Sequence, residues 1–494
     1  MITTNKARVF RTRRLSTASV AALLIAVAGC RPSDGPATPS SQTTLTIGFG
    51  LSTGVTAQAG IRQTARNISL EGLVAIGRDG RPQPWLAKSW TMSSNGLVLR
   101  MELRPGATFH NGQLVTASVV RDILVRQPPI QLGPAFGDIA EVRALADTTV
   151  EFSLTRPSAF LLEGLDGFIE QPSTVSIGTG PFQVASSDDQ QMELRSNENY
   201  YLGKPFIDRI LIRPYASVRS AWAEMLRGRV DMLYEVGLDA LDSLEPSKDA
   251  RVFVHQRPYS YVVLLNFRNP VFASKEFRRK LNAAIDRQTL VTETLQGHAT
   301  PADGPVWPGH WAYENGLPTF RYKPEKISPA PKRFTCLFAD ASLERLGLGM
   351  QRQLRAVGVD LELELVSIDD WYERIKKGDF DAVLADAVSG PNLVRPYLVW
   401  HSEGPLNYGR FNGTNVDAAL DAIRTAPNDD AYKAGVAAFQ KAIIDDPPAI
   451  FLAWSERARA VSTRFAVPAE PGRDILPTLR LWRPATDKPA MSPN

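Results

Sequence analysis

An α/β fold with a largely parallel sheet is what this sequence predicts, and three observations in its C-terminal half predict it. Arg333, Phe334, Thr335, Cys336, Leu337 and Phe338 read as a strand. Leu346, Met350, Leu354 and Val357 then repeat at helical spacing, with Gly358 as terminator. Val359, Leu361, Leu363 and Leu365 alternate as a second strand, and residues 380–385 form a third after a helix that Ser367 caps and Gly378 stops. The order β-α-β-α-β calls for a sheet flanked by helices. Ligands of such open sheets bind beyond the carboxyl ends of the strands, which places residues 386–397 near a cleft.

The N-terminal half reads differently. Residues 44–49 alternate polar and apolar as a first strand, and a helix-like segment covers 61–73. Asp79-Gly80 and Asn95-Gly96 mark tight hairpins, since Asp, Asn and Gly tolerate positive φ, and 97–103 has period two. Leu86, Trp90, Leu99 and Met101 read as core. No internal repeat of fixed period is present.

The chain has 494 residues, 44% hydrophobic and 22% charged, which is ordinary globular composition with room for two to four domains. Its one strongly apolar stretch lies at the N-terminus. Lys6, Arg8, Arg11, Arg13 and Arg14 precede an apolar run from 15 to 28, too short for a comfortable bilayer span. The run ends in Val27-Ala28-Gly29-Cys30, which resembles the bacterial lipobox. Residues 1–29 are therefore expected to be a lipoprotein signal peptide and Cys30 the lipidated residue. Removing five basic and no acidic residues from a net +4 leaves −1, so the basicity belongs to the leader and no nucleic-acid surface is expected. The only other cysteine, Cys336, then lacks an intramolecular partner and reads as a buried, inert thiol. Residues 30–43, rich in Pro, Ser, Thr and Gly, read as a flexible tether.

Several short motifs follow one another along the mature chain. Glu71-Gly72-Leu73 comes first, then Gly80-Arg81-Pro82 with Pro84, Leu86-Ala87 and Ser89-Trp90. Leu103-Arg104 with Gly106, Phe109-His110 and Gly112 is next, followed by Gly178-Thr179-Gly180-Pro181-Phe182. Asn197 with Tyr200, Gly203 and Pro205 succeeds it, then Leu226 with Gly228 and Asp231, and Arg278 with Ala284-Ile285-Asp286-Arg287. Asn407-Tyr408 with Phe411-Asn412 and Asp417 closes the series. Together, in this order, they resemble the family-5 extracellular solute-binding proteins of bacterial ABC importers, of the peptide, nickel and opine type. Read bottom-up, the pieces are turn chemistry and core, so they mark a fold rather than a ligand site.

The resemblance implies a periplasmic-binding-protein type II-like fold of cluster C, with two α/β lobes joined by a hinge plus an inserted lobe. Lobe I is expected at 44–65, 178–262 and 455–485, lobe II at 66–177 and lobe III at 263–454. Crossing segments are expected at 261–266 and 449–454. The implied function is capture of a peptide-like or other small polar solute, without catalysis or cofactor, by an exported monomer at the cell envelope. It would be lipid-anchored and would deliver the solute to permease subunits with their ATPases. Peptide-binding relatives carry Trp and then Asp in the cleft loop. Here Ala387 and Gly390 stand at those positions, which argues against a peptide ammonium anchor. Asp386, Ser389, Asn392 and Arg395 remain as polar candidates. Tyr259, Tyr261, Trp307 and Trp371 are candidate apolar walls, Trp307 being favoured because Pro305, Pro308 and Gly309 place it in a loop.

Other readings of these residues compete with solute capture. Gly50-Leu51-Ser52-Thr53-Gly54 fits a nucleophile elbow, with His401 available later, so a secreted serine hydrolase is one alternative. Its position after the first strand argues against that, and the resemblance implies instead that this loop faces the cleft, where Ser52 would hydrogen-bond a ligand. A sensing or chaperone-like lipoprotein on the same fold, without a transporter, is another. A protein-built metal site is not expected, because His110, His255, His298, His310 and His401 include no pair at i,i+3 or i,i+4. His110 is expected to face solvent. The Gly178–Gly180 signal for a phosphate loop is weak, since Pro181 removes a donor.

Overall fold

The computed structural model describes residues 42–50, 57–126, 133–173, 176–237, 241, 247–328 and 332–485. The leader, Cys30, most of the tether and Ser52 lie outside the described residues.

The predicted parallel unit is present. Lys332–Phe338 pairs in parallel with Val359–Leu365 on one side and with Ala382–Val388 on the other. The helix Glu344–Ala356 buries Leu346, Met350 and Leu354 against it. The helix Ile368–Lys377 is set by its ends. Ser367 accepts a hydrogen bond from the Asp370 N–H, and Asp369 and Asp370 lie in the first turn, where the helix dipole favours acids. Lys376 and Lys377 lie in the last turn, and Gly378 closes the helix at φ +74°. Cys336 is fully buried, and burial pushes its thiol up to about 12.

These strands are one end of a sheet of eleven strands among the described residues. At the other end, Thr44–Gly50 runs parallel to Arg209–Tyr215 and Met232–Val236, with Met192–Ser196 and Phe182–Ser187 completing the edge. Two long strands join the ends, Ala250–Leu265 and Ala449–Ser462, antiparallel to each other over nearly their whole length. Residues 449–455 and 259–265 lie in the half beside Ala382–Val388, while 458–461 run beside Met232–Val236. The pairing register of the two long strands shifts between Gln256 and Ser260 and again between Tyr261 and Val262. The second shift falls within the segments expected to cross, 261–266 and 449–454, and the first lies just before them, at Gln256.

A separate antiparallel sheet holds Ala87–Met92, Val98–Leu103, Thr149–Leu154 and Ile139–Ala144. Leu86, Leu99 and Met101 are buried there and Trp90 is half-buried. The apolar cluster of this sheet continues into Leu393, Val394, Tyr397 and the helices Thr414–Arg424 and Asp429–Asp445. Among the described residues no helix is long and apolar enough to cross a membrane.

The recurring motifs occupy structural positions. Glu71 is buried and accepts from the hydroxyls of Tyr200 at 2.6 Å, Tyr201 at 3.2 Å and Thr179 at 2.8 Å. Gly178 and Gly180 pass so close to Ser69 and Leu70 that a Cβ on either would fall within 2.6 Å of them, so these glycines serve close packing. His110 does not face solvent as expected. It is half-buried, its Nδ1 accepts from the Gly178 N–H at 3.3 Å and its Nε2 lies 3.1 Å from the Gly180 carbonyl. It staples the Leu103–Gly112 motif onto the Gly178–Phe182 motif, and burial lowers its pKa.

Candidate functional site

The carboxyl end of Ala382–Val388 lies where the long strands change neighbours. Tyr261 pairs directly with Asp386, so both side chains stand on one face of the sheet. Arg457, from the second long strand, donates to Asp386 Oδ2 at 2.7 Å and to the Tyr261 hydroxyl at 2.8 Å. It also meets Glu235, at the end of Met232–Val236, at 3.1 Å. Arg257 reaches Asp386 at 3.3 Å and lies 3.6 Å over the ring of Tyr259. Ser455 donates to Asp386 Oδ1 at 3.4 Å. Burial opposes the charge on Arg457, but Tyr261, Asp386 and Glu235 together hold its pKa above the ordinary arginine value. Burial also raises the Tyr261 hydroxyl. One guanidinium therefore ties a strand of one half of the sheet to a strand of the other.

On the opposite face Ser260 pairs with Ala387, and its hydroxyl lies 3.3 Å from that of Ser389. The Pro258 carbonyl accepts from both Ser389 and Gly390 N–H groups, and Gly390 adopts φ +73°. Asn392 is buried, and its Oδ1 has no hydrogen-bond partner. Glu163, from the helix Phe160–Gly164, accepts from the Leu393 N–H at 2.9 Å and from the Tyr432 hydroxyl at 2.5 Å. Burial drives the Glu163 carboxyl up to about 7 against these donors. Arg395 is exposed at the start of the helix Val394–Trp400; burial raises the neighbouring Asp166 carboxyl to about 6, and the Arg395 charge offsets only part of that rise.

The remaining aromatic candidates disperse. Trp307 stands in a loop as expected, but its indole is buried edge-on against Trp454 at 5.2 Å. Its exposed rim lines a groove of about 490 Å³ with Arg78, Asp79, Gln256 and Thr300. Trp371 packs into the cluster of Leu337, Ile375, Phe380 and Val383. His401 stacks on Tyr397 at 4.4 Å with Nε2 3.6 Å from Asp421. Among the described residues no group of three His, Cys, Asp or Glu could hold a metal ion.

The structure thus unites Tyr261 and Asp386, and separately joins Ser389 and Asn392 in one loop. Sequence reasoning missed Arg457, Arg257, Glu235 and Glu163. A signal existed for one: Glu456, Arg457 and Arg459 interrupt an otherwise apolar, β-rich run, and charges within a buried strand need partners.

The family model for "Bacterial extracellular solute-binding proteins, family 5 Middle" matches residues 81–405. The chain belongs to this family. The probable D,D-dipeptide-binding periplasmic protein DdpA of Escherichia coli (strain K12) is 25% identical over 410 residues, covering 74% of this chain and 78% of that protein. NikZ from Campylobacter jejuni, solved with Ni(L-His), superposes with a TM-score of 0.76 at 21% identity, covering 89% and 99% of the two chains. The Bacillus subtilis oligopeptide-binding protein AppA, solved with a nonapeptide, gives 0.74 at 19% identity, covering 90% and 100%. These structures share the type II periplasmic-binding-protein fold with this family-5 chain. Members of the family are binding proteins.

Proposed function

We propose that this family-5 protein captures a small polar solute between the two halves of its sheet by hinge closure and passes it to the permease of an ABC importer. The observation that carries this reading is the pair of register shifts between Gln256 and Val262, where among the described residues only two strands connect the halves and Arg457 touches groups from both. Closure about such a pair brings the loop 389–392 and the strand end at Val236 toward each other. Proteins similar to this one carry names or bound molecules as different as D,D-dipeptides, a nickel–histidine complex and a nonapeptide. Gly390, in a left-handed conformation, offers no carboxylate to a peptide ammonium group, so a solute other than an ordinary peptide is favoured. Ser52, Tyr261, Trp307, Asp386, Ser389, Asn392 and Arg395 are the proposed lining, with Arg457 and Arg257 added. Export as a lipoprotein anchored through Cys30 and action as a monomer complete the proposal.

Native mass spectrometry of protein isolated from its own host should reveal a bound solute, and calorimetry with that solute should show stoichiometric binding. Turnover of an ester or peptide, abolished by Ser52→Ala, together with no solute bound, would instead mean a hydrolase. Metabolic labelling with a fatty acid should fail for Cys30→Ala.

A further inference from the structure

The turn from Gly77 to Arg81, at the tip of the hairpin Val74–Ile76 and Pro82–Pro84, touches both halves of the long sheet. The turn is stiff. Gly77 N–H donates to the Arg81 carbonyl at 2.9 Å, Gly80 N–H to the Gly77 carbonyl at 2.9 Å, and Asp79 Oδ1 accepts from the Arg81 N–H at 3.1 Å. Toward one half, Arg78 donates to Gln256 Oε1 at 3.1 Å, at the residue where the register shift begins. The Arg78 guanidinium also lies over Gly472, where a Cβ would fall 3.2 Å from Nη2, and Gly472 is bridged to His255 of the same long strand. Toward the other half, the Asp79 carbonyl accepts from the Trp311 N–H at 2.8 Å. Arg81 lies 3.8 Å over the Trp311 ring and pairs with Asp429 at 2.6 Å. Gly80 presses on the loop that follows Ala382–Val388. A Cβ there would fall 2.2 Å from the Pro391 carbonyl and 2.6 Å from His310, and its φ is +85°.

We propose that this turn is a clasp, which holds the two halves in the orientation seen here and must disengage from one of them when the cleft opens. The proposal rests on the closure reading above, and it adds a task for the inserted lobe. A five-residue turn cannot follow two bodies that rotate apart, so one set of its contacts breaks on opening. The arginine contacts are polar or stacked and lie at the surface, so each is weak and can be remade, whereas Gly80 and His310 are buried and set how closely the turn seats. Gly80 supplies the contact that a side chain would forbid.

The test uses the full chain with Cys30→Ser, leaving buried Cys336 in place, and spin labels at Asp189→Cys and Lys376→Cys. Both sites are exposed, one beyond the edge strand Phe182–Ser187 and one on the helix Ile368–Lys377. Double electron–electron resonance reads the distance distribution without solute. Arg78→Ala with Arg81→Ala should enlarge the long-distance population by roughly threefold to tenfold, the scale expected for losing two surface contacts. The control Arg121→Ala with Arg143→Ala removes two arginines whose partners, Asp122 and Glu141, are local, and should leave the distribution as in wild type. An unchanged distribution in the clasp variant, or an equal change in the control, overturns the clasp. Solute binding measured on the same samples separates the readings: binding intact with an unmoved distribution sinks the clasp alone, whereas binding absent in wild type sinks the capture reading.

Discussion

At the level of single residues, buried carboxyls carry the most pH-sensitive information. Glu163 and Glu71 are both buried, and desolvation lifts each to about 7 despite hydroxyl and N–H donors. The folded state holds these protons when the unfolded chain has already lost them. Their contribution to stability is therefore fully present below the unfolded carboxyl range near 4.5 and declines as pH rises toward 7. Glu163→Gln keeps an acceptor for Leu393 and removes the titration. Against wild type it should gain relative stability between pH 5 and 8, by up to about 3 kcal/mol, as read from denaturant unfolding at each pH. A parallel pH dependence in both proteins would show that Glu163 does not titrate there. Asp386 poses the complementary case. It is the shared partner of Arg457 and Arg257, so Asp386→Asn leaves two partly buried guanidinium groups with one fewer anion. The variant should lose about 1–3 kcal/mol, seen as a lower melting temperature that added salt partly restores. None of these partnerships was legible from sequence. Glu163 and Tyr432 stand 269 positions apart and Arg457 and Asp386 71 apart, and periodicity carries no information at such separations.

Elements whose determinants are local were legible. The helix Ile368–Lys377 is written in Ser367, the two aspartates after it and Gly378, and all four act within a few residues of where they stand. Ser367→Ala should cost about 1 kcal/mol by orphaning the Asp370 N–H. Gly378→Ala should cost more, about 1–2 kcal/mol, because a Cβ meets the Arg268 guanidinium at 2.8 Å in a backbone conformation that disfavours side chains. Chemical denaturation checks both, and equal costs would mean that Arg268 simply moves aside. His110 shows the limit of local reading. Asn111-Gly112 correctly marks a turn, but a turn reveals nothing of the loop packed on top of it, and Gly178 with Gly180 turned the histidine inward. The exact points where the long strands shift register were not legible for a related reason. Apolar runs at 261–266 and 449–454 are visible as strands, but the point where a strand changes neighbours depends on register, which is a property of pairs.

For the whole molecule the question is how far two halves of one sheet can rotate when two strands join them. The backbone hydrogen bonds of the long strands persist on both sides of the shift, so the motion has to concentrate in the few residues around Gln256–Ser260 and Ser455–Arg457. Arg457 sits there with Asp386 and Tyr261 on one side and Glu235 on the other, which makes it sensitive to the angle between halves. Rotation lengthens either its contact with Glu235 or its contact with Asp386. Because Glu235 is the more exposed partner, its contact is the weaker and breaks first. Arg457→Ala should then widen the angular spread of the solute-free protein without unfolding it. A compact body made of residues 42–485 has a radius of gyration of about 22 Å, and opening of a two-body clamp adds on the order of 1 Å. Small-angle scattering should find wild type with solute at the smaller value and wild type without solute above it. Arg457→Ala should lie highest without solute and contract only at raised solute concentration, since the cation that lines the cleft is missing. If Arg457→Ala contracts at the wild-type concentration, the guanidinium braces the hinge and does not meet the solute. If it scatters as wild type in both states, Arg457 neither braces the hinge nor meets the solute.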